Sequence, residues 1–448
     1  MDFREFKDAV VAAAKAAGLV DYELYYEQSD SIQIGSTQRE INQFTNSNSG
    51  GVCFRAVIDG KIGAASTEEL SAAQAESIVA RAIENGRTIE SEEKVFLCEG
   101  GKTYEPYAPS GLAIPATSEL VDAALGANDK LLKADKRVED SCAATAMAEK
   151  AHISIFNSKG LDLSWDNTVV GMMAMAITSD GNEKTNAYEM QFGELNAELA
   201  DKVTSKAVEN AVAKLGGQVA PTAVCPVVFA PGAMASLLAT FSPMLSSENA
   251  QKGMSLLAGK EGEMIASSAV TLVDDPFCEK NPIRINFDGE GSPAHRKNVI
   301  EKGRLTTLLY NLKTAAVAGR ETTGNASRAN YSAPVGISPF SMYLEAGTLT
   351  EDELLAKAGN GVYINSLGGL HAGANPVSGD FSLQSSGFMI ENGKKTTPVK
   401  SFTVAGNFAE LLKKITDLSN EVVFPSLGGT TAFGSPCVLV DNLSIAGK

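Results

Sequence analysis

The sequence has little of what most metal and cofactor sites are built from. Only three residues are histidines and six are cysteines, and the cysteines form no CxxC pair. The histidines are His152, His295 and His371, and no two of them have the spacing that places both imidazoles on one helix face. We therefore predict no metal and no cofactor for this chain. His152 lies beside a predicted strand and is interpreted as structural.

Other catalytic signatures are missing as well. No GxxxxGK[ST] phosphate loop and no G-x-S-x-G nucleophile elbow occurs, and the glycine-rich run 368–375 departs from GxGxxG. Positive charge is also scarce, since the formal net charge is −16. An acidic surface repels phosphate backbones, so we predict no nucleic-acid partner. Because the catalytic signatures above are missing, we also predict that the chain has no self-sufficient set of catalytic residues.

Long uninterrupted apolar runs are absent too. The longest uncharged stretch, beginning at Ala220, is broken by several prolines, so it predicts a strand followed by a helix and no membrane span. The first residues are charged and helix-like, unlike a signal peptide. Widely spaced cysteines favour reduced thiols, and we expect a cytoplasmic protein.

The residues that are present predict a folded α+β protein. Apolar residues make up 44% and charged residues 21% of the sequence, which are globular values. Asp2 and Glu5 can cap an opening helix, and Ile58-Asp59-Gly60-Lys61 predicts a hairpin. Helices and strands cluster instead of alternating, which favours antiparallel sheets with flanking helices over a doubly wound parallel fold.

At 448 residues the chain is too long for one ordinary core, so two domains are expected. We predict an N-terminal α+β domain over residues 1–217, with an irregular linker at about 88–116. A strand-rich C-terminal α+β domain is predicted over 218–448. Similar turns occur at 58–61, 300–304 and 390–394. Convergence on good hairpin residues is the favoured explanation, and an old duplication is the alternative.

Two glycine-rich segments are candidates for contact with a ligand. The first runs from Phe287 to Ala315 and includes Arg296, and the second runs from Leu370 to Phe388. Glycines allow a ligand to approach the backbone, and His, Asn and Asp side chains can bind a peptide. The equally weighted alternative is a structural loop that bonds its own backbone. The predicted substrate-binding residues are His371, Asn375, Ser378, Asp380 and Arg296.

These segments also resemble a known family. Three stretches in this order are similar to the TldD/PmbA proteins, often labelled modulators of DNA gyrase: Asp288-Gly289-Glu290-Gly291 with Arg296 and Gly303-Arg304-Leu305, Gly379-Asp380-Phe381-Ser382 with Glu391-Asn392-Gly393, and Val404-Ala405-Gly406-Asn407. The resemblance covers nearly the whole chain and is strongest to the PmbA/TldE-like branch.

The resemblance implies a two-subunit peptidase in which only the TldD branch has HExxxH on the helix after a Pro-Gly. Placing that motif after Pro231-Gly232 puts the two histidine positions at Ala239 and Met244 and the glutamate position at Thr240. None of these residues binds zinc or activates water. We therefore expect a subunit with no catalytic residues of its own that acts in peptide degradation or maturation.

Its expected partners are a TldD-like metallopeptidase subunit, a second copy of itself, or both, with peptide as substrate and no membrane. Two alternatives stay open. One is a peptide-binding homodimer without catalysis. The other is an autonomous non-metal hydrolase that uses His371 with Asp380 and Ser378 or Ser382.

Overall fold

The N-terminal part of the chain folds into one sheet flanked by four helices. The structure is a computed structural model that describes residues 1–90, 96–427 and 430–447. In chain order the elements of this part are α1 (Phe3–Ala16), β1 (Tyr22–Thr37), β2 (Glu40–Ile58), β3 (Lys61–Thr67), α2 (Ala72–Thr88), α3 (Thr117–Ala134), β4 (Ala143–Asn157), β5 (Asp162–Ser179), β6 (Lys184–Phe192) and α4 (Ala197–Val212).

The six strands form an antiparallel sheet in the order β3-β2-β1-β4-β5-β6. Strands β1 and β4 pair at its centre, with Glu23 opposite Asn157. A helix, three strands and a second helix thus occur twice and meet at this central pair. This structural repeat lies within the first 212 residues, so the three similar turns do not mark its two halves.

The opening helix forms as its capping residues predict. The Asp2 carboxylate accepts the Glu5 N–H at 2.9 Å, and the Glu5 carboxylate accepts the Asp2 N–H at 3.2 Å. The second helix begins at Ala72. Ser71 caps it by accepting the Gln74 N–H at 3.3 Å, which leaves the preceding residues to strand β3 and a turn.

The C-terminal part has more strands and mixed sheets. Its elements are β7 (Gln218–Val219), β8 (Ala223–Phe229), α5 (Pro231–Phe241), a 3-10 helix (Ser242–Leu245), α6 (Ser247–Gln251), β9 (Leu272–Asp275), β10 (Lys297–Glu301), β11 (Arg304–Leu305), α7 (Leu312–Val317), β12 (Ala326–Ser327), β13 (Gly336–Ile337), β14 (Ser341–Leu344), α8 (Glu351–Ala358), β15 (Gly361–Gly368), α9 (Leu370–Gly373), β16 (Asp380–Glu391), β17 (Lys394–Asn407), α10 (Phe408–Lys414), β18 (Ile415–Leu418), β19 (Val423–Leu427), β20 (Ala432–Ser435) and β21 (Val438–Ala446).

A seven-stranded sheet has the order β18-β21-β8-β15-β16-β17-β7, and a six-stranded sheet has the order β11-β10-β9-β14-β20-β19. Most neighbours are antiparallel, as expected, but three pairs are parallel: β8 with β15, β14 with β20, and the short β7 with β17. Helix α10 ends at Lys414, because Ile415–Leu418 pairs with β21 instead. Within the described ranges, no helix is long and apolar enough to cross a bilayer.

The hairpin turns follow their sequences closely. Both central residues have positive φ in the turns at Asp59-Gly60 (50° and 78°), Lys302-Gly303 (46° and 85°) and Asn392-Gly393 (51° and 75°). This backbone geometry matches the right-handed twist of paired strands. The three similar turns therefore share a hairpin geometry that their Gly residues make possible.

The two parts of the chain pack through the sheet face that carries no helices. On this face Tyr25, Ile155 and Trp165 form an apolar cluster with Phe287 and Phe340 of the C-terminal part. The Trp165 indole also donates its Nε1–H to the carbonyl oxygen of Arg284 at 2.7 Å. This contact closes one end of the sheet face and leaves a cavity beside it.

Candidate functional site

Helix α5 lies where the family resemblance places a metal site. It begins at Pro231 directly after strand β8, and proline is well suited to the first helical position because it has no N–H to satisfy. At the glutamate position, Thr240 donates its hydroxyl to the Ser236 carbonyl at 2.8 Å within the same helix. The Thr240 hydroxyl therefore has its hydrogen-bond partner within the helix, and unlike a glutamate it has no carboxylate to activate a water.

The second histidine position is part of the hydrophobic core. Met244 is 3% exposed and lines a small apolar cavity together with Phe241 and Leu245. A charged or metal-bound group there would lose its hydration without gaining a polar partner. The side chains at Ala239, Thr240 and Met244 thus do not fit a metal ion.

The rest of the described chain supplies no alternative metal site. Within residues 1–90, 96–427 and 430–447, no group of three or more His, Cys, Asp or Glu side chains has the geometry to bind a metal. Cys437 is buried just before β21, and burial together with the nearby Glu351 carboxylate raises its pKa to about 12. Its thiol therefore stays protonated, whereas a metal ligand or nucleophile needs the thiolate.

Four of the five predicted substrate-binding residues lie together on one exposed loop. Asn375 accepts the Val377 N–H at 2.9 Å, and Asp380 accepts the Asn407 side-chain N–H at 2.9 Å. Hydrogen bonds from Asn407 and Ser378 lower the pKa of Asp380. The loop is thus well ordered by its own polar contacts, as the structural alternative expects.

His371 is exposed on the short helix α9. Across the part of the chain that the structure describes, no hydrogen bond joins it to Ser378, Ser382 or Asp380. The relay that an autonomous hydrolase would need is therefore not assembled in this structure. His371 is free to contact a bound molecule.

Arg296 lies apart from that loop, before strand β10. Its guanidinium pairs with Glu345 at 3.0 Å and with Asp275 at 3.9 Å, which ties it to the neighbouring strands. The described residues show no ion pair between Arg296 and the 370–382 loop. As peptide-contacting residues, the five stay a prediction.

The larger cavity lies elsewhere, between the helix-free face of the N-terminal sheet and loops of the C-terminal part. Its volume is about 230 Å³, and none of the five predicted residues lines it. The residues that line it include Tyr25, Glu27, Ser29, Glu149, Ile153, Trp165, Asn167, Phe287, Arg328 and Phe340. Alternation along β1 was the available signal, because Tyr25, Glu27 and Ser29 share one face of a strand.

A buried ion cluster joins the two parts of the chain beside this cavity. The fully buried Glu23 carboxylate accepts Arg55 Nη2 at 2.6 Å and Arg328 Nη2 at 2.8 Å. Arg328 also donates its Nε–H to the Gly289 carbonyl at 2.8 Å and stacks over Tyr25 at 4.4 Å. These buried charges favour one relative position of the two parts, because moving one charged group away would leave its partner buried without a counter-charge.

The Asp288-Gly289-Glu290-Gly291 motif organises the same interface. Asp288 accepts three backbone N–H groups, from Glu290, Ser292 and Ala326, each at 2.9 Å. Glu290 accepts one, from Leu312 at 3.0 Å. Burial raises the pKa of both carboxyls, and the three backbone donors oppose this shift at Asp288 because they stabilise its charge.

Gly291 shows why this motif contains glycine. Its φ is 81°, and a Cβ there would come within 2.4 Å of the Leu161 side chain on the N-terminal part. Glycine is required by both the backbone conformation and the close approach of the two parts. The motif that carried the family resemblance is therefore an interface element.

Comparison with known domain families defines the class of protein. Models described as PmbA/TldA metallopeptidase domain 1, central domain and C-terminal domain match residues 22–86, 112–215 and 222–447. The chain thus has the domain order of a metallopeptidase of this class.

Solved structures and relatives agree. A Thermotoga maritima protein that carries the label modulator of a DNA gyrase is 31% identical, with a TM-score of 0.89 over 99% of this chain and 100% of that one. TldE from Thermococcus kodakarensis shares the fold, with a TM-score of 0.88 at 24% identity over 98% and 99% of the two chains. Metalloprotease PmbA of Escherichia coli O157:H7 is 22% identical over 98% of this chain and 94% of its own length. The chain belongs to the PmbA/TldD family.

Proposed function

We propose that this chain is the metal-free subunit of a PmbA/TldD-type metallopeptidase, in which a TldD-like partner supplies the metal. The observation that carries the proposal is the set of residues on helix α5 and on the 3-10 helix that follows it. Ala239, Thr240 and Met244 occupy the positions of two ligands and a base, and Met244 is part of the apolar core. A peptidase in which this chain takes part needs its metal ligands from another polypeptide.

In such an assembly the chain contributes walls and peptide contacts. The exposed loop with His371 and Asn375 offers polar side chains for a peptide backbone. All six cysteines are free thiols, which supports a reducing compartment and so our expectation of a cytoplasmic enzyme.

The direct test is reconstitution. The purified chain, the TldD-like protein of the same genome and an equimolar mixture would be compared by light scattering for association and by cleavage of an unstructured fluorogenic peptide with added zinc. We expect no cleavage by this chain alone and at least about tenfold more by the mixture than by the partner alone. No association together with unchanged cleavage would refute the proposal.

The same assay separates the alternatives. Chelator-resistant cleavage by this chain alone that His371→Ala abolishes would establish the autonomous hydrolase. Peptide binding without turnover, both alone and with the partner, would establish the homodimeric binding protein.

A further inference from the structure

Strand β2 has an open edge over more than half of its length. It pairs with β1 from Glu40 to Ala56, but β3 covers its other side only from Val52 to Ile58. Among residues 1–90, 96–427 and 430–447, no strand and no isolated bridge pairs with the outer side of β2 before Val52. About half of the backbone N–H and C=O groups there point away from the sheet and have no protein partner.

The open segment, residues 41–49, is also exposed at its side chains. Every residue from Ile41 to Ser49 is exposed, including the apolar Phe44 at 58%. None of the nine is charged and none is a proline, although natural proteins usually protect an edge strand with lysine, proline or a bulge. The register against β1 shifts once, at Asn42 near the hairpin turn. The rest of the open segment is regular and suited to pairing with another extended strand.

A second copy of the same segment has the right chemistry to cover this edge. Two identical strands related by a two-fold axis run antiparallel, and their interface is self-complementary because each copy uses the same surface. About four residues of the open segment direct both N–H and C=O outward, so two copies would form about eight hydrogen bonds. A typical protein interface has about 10 ± 5. Self-pairing therefore supplies as many backbone contacts as a stable interface needs.

The position of β3 limits the register of such a pair. Strand β3 occupies the outer side of β2 as far as Thr67, which lies opposite Val52. The second copy, including its hairpin turn, must therefore fit on the part of the edge that precedes Val52. Placing Ile41 opposite Ser49 meets this condition. It also puts Thr45 on the two-fold axis, opposite its own copy.

Charge favours this arrangement in an otherwise acidic chain. The formal net charge of −16 opposes the approach of two copies, but pairing of an uncharged segment places no like charges opposite each other. In this register Arg39 of one copy lies beside the exposed Glu68 and Glu69 of the other, where β3 ends. Arg39 donates its Nε–H to Asp129 at 2.9 Å, and its side chain is still 53% exposed. The neighbouring Glu40 lies opposite an uncharged glycine.

We propose that two copies of this chain associate by antiparallel pairing of their β2 edges over residues 41–49, with Thr45 on the two-fold axis. The pairing joins the two N-terminal sheets into one continuous sheet and removes both open edges. The inference goes beyond the proposed function, because it concerns association of the chain with itself and not with a metal-bearing subunit.

Sedimentation velocity of the full-length chain alone measures this association, and we expect a dimer at micromolar concentration. Thr45→Lys places two ammonium groups opposite each other at the axis and should weaken dimerisation at least about tenfold. The Thr45 hydroxyl is exposed and forms no hydrogen bond among the described residues, so the variant should fold, which circular dichroism checks. Ser205→Lys, on the exposed side of α4, is the matched control and should leave the dimer intact.

A cysteine at the axis tests the register. Opposite residues in an antiparallel pair have Cα atoms about 4.5–5.5 Å apart, which a disulfide can span. A mild thiol oxidant should convert Thr45→Cys into a disulfide-linked dimer on a non-reducing denaturing gel. The native chain and Ser205→Cys should give monomer under the same conditions.

Three results would each overturn the inference: a native chain that sediments as a monomer, a Thr45→Lys variant that dimerises as the native chain does, or a Thr45→Cys dimer that does not cross-link. A chain that is monomeric alone and pairs through this edge only with the TldD-like protein would also reject self-pairing. These measurements use the chain without a partner, so their failure is distinct from a failure of reconstituted cleavage.

Discussion

Helix α5 and the interface cavity have opposite chemistry. Around α5, the places where the family resemblance predicts metal ligands and a base contain Ala239 and Thr240, which are half-buried, and Met244, which is part of the apolar core. At the interface, by contrast, Glu23, Arg55, Arg328, Asp288 and Glu290 are buried together. The buried charged side chains of the two regions therefore lie at the interface and not around α5.

The difference shows that the two regions are held by different interactions. Met244 adds to a continuous apolar core. The buried charges at the interface depend on one another, and any one of them alone would be unfavourable. The interface therefore constrains the arrangement of the two parts more than the region around α5 does.

The largest effect on stability is predicted for a variant that disrupts the interface between the two parts. Arg328→Met removes one of the two guanidinium groups on Glu23 and the donor to the Gly289 carbonyl, so the free energy of unfolding should fall by about 3 kcal/mol. Urea denaturation monitored by circular dichroism measures it. Arg137→Met, which removes a more exposed pair with Asp135, is the control and should change stability by less than about 1 kcal/mol. Equal losses in the two variants would contradict a special role for the buried cluster.

The second prediction tests whether the α5 region is core. Met244→His should lower stability by about 2–3 kcal/mol, because the imidazole loses hydration in an apolar cavity. Met244→Leu keeps the volume and the apolar character and should cost less than about 1.5 kcal/mol. A histidine variant as stable as the leucine variant would show that this position tolerates polar groups.

The third prediction uses pH. The pKa of Glu290 is raised, so the carboxyl favours folding while it is protonated and loses this contribution as pH rises through the raised value. Glu290→Gln removes that dependence. Its stability relative to the native chain should therefore improve by about 1–2 kcal/mol between pH 5 and pH 9. The exposed Glu76→Gln variant should show no such trend in the same denaturation series, and a parallel trend in both variants would exclude Glu290 as the source.

The smallest effect on stability is expected at the exposed loop. His371 is exposed, and His371→Ala removes no hydrogen bond or ion pair among the described residues, so the unfolding midpoint should stay unchanged. Cleavage by the reconstituted pair should nevertheless fall several-fold if the loop contacts peptide. A shifted midpoint, or full activity, would remove His371 from the substrate-binding set.

Local patterns predicted local structure well. The capping residues Asp2 and Glu5 predicted the first helix, and the Gly-containing turns at 59–60 and 392–393 predicted hairpins, because both depend on neighbours in sequence. The parallel pairs β8–β15 and β14–β20 were not predicted, since their pairing depends on contacts between distant segments. Periodicity within one strand carries no information about which strand lies beside it.

The sequence alone determined the family resemblance, the net negative charge and the residue types at Ala239, Thr240 and Met244, because each can be read from the chain without its neighbours in space. Only the tertiary structure located the cavity. The cavity is lined by side chains from separate segments, among them Glu27, Trp165, Asn167 and Arg328. These segments meet because β1, β4 and β5 pair in a particular register while the C-terminal loops fold over that face. A cavity assembled across the chain in this way leaves no motif, since the spacing of its residues exists only after the strands have paired.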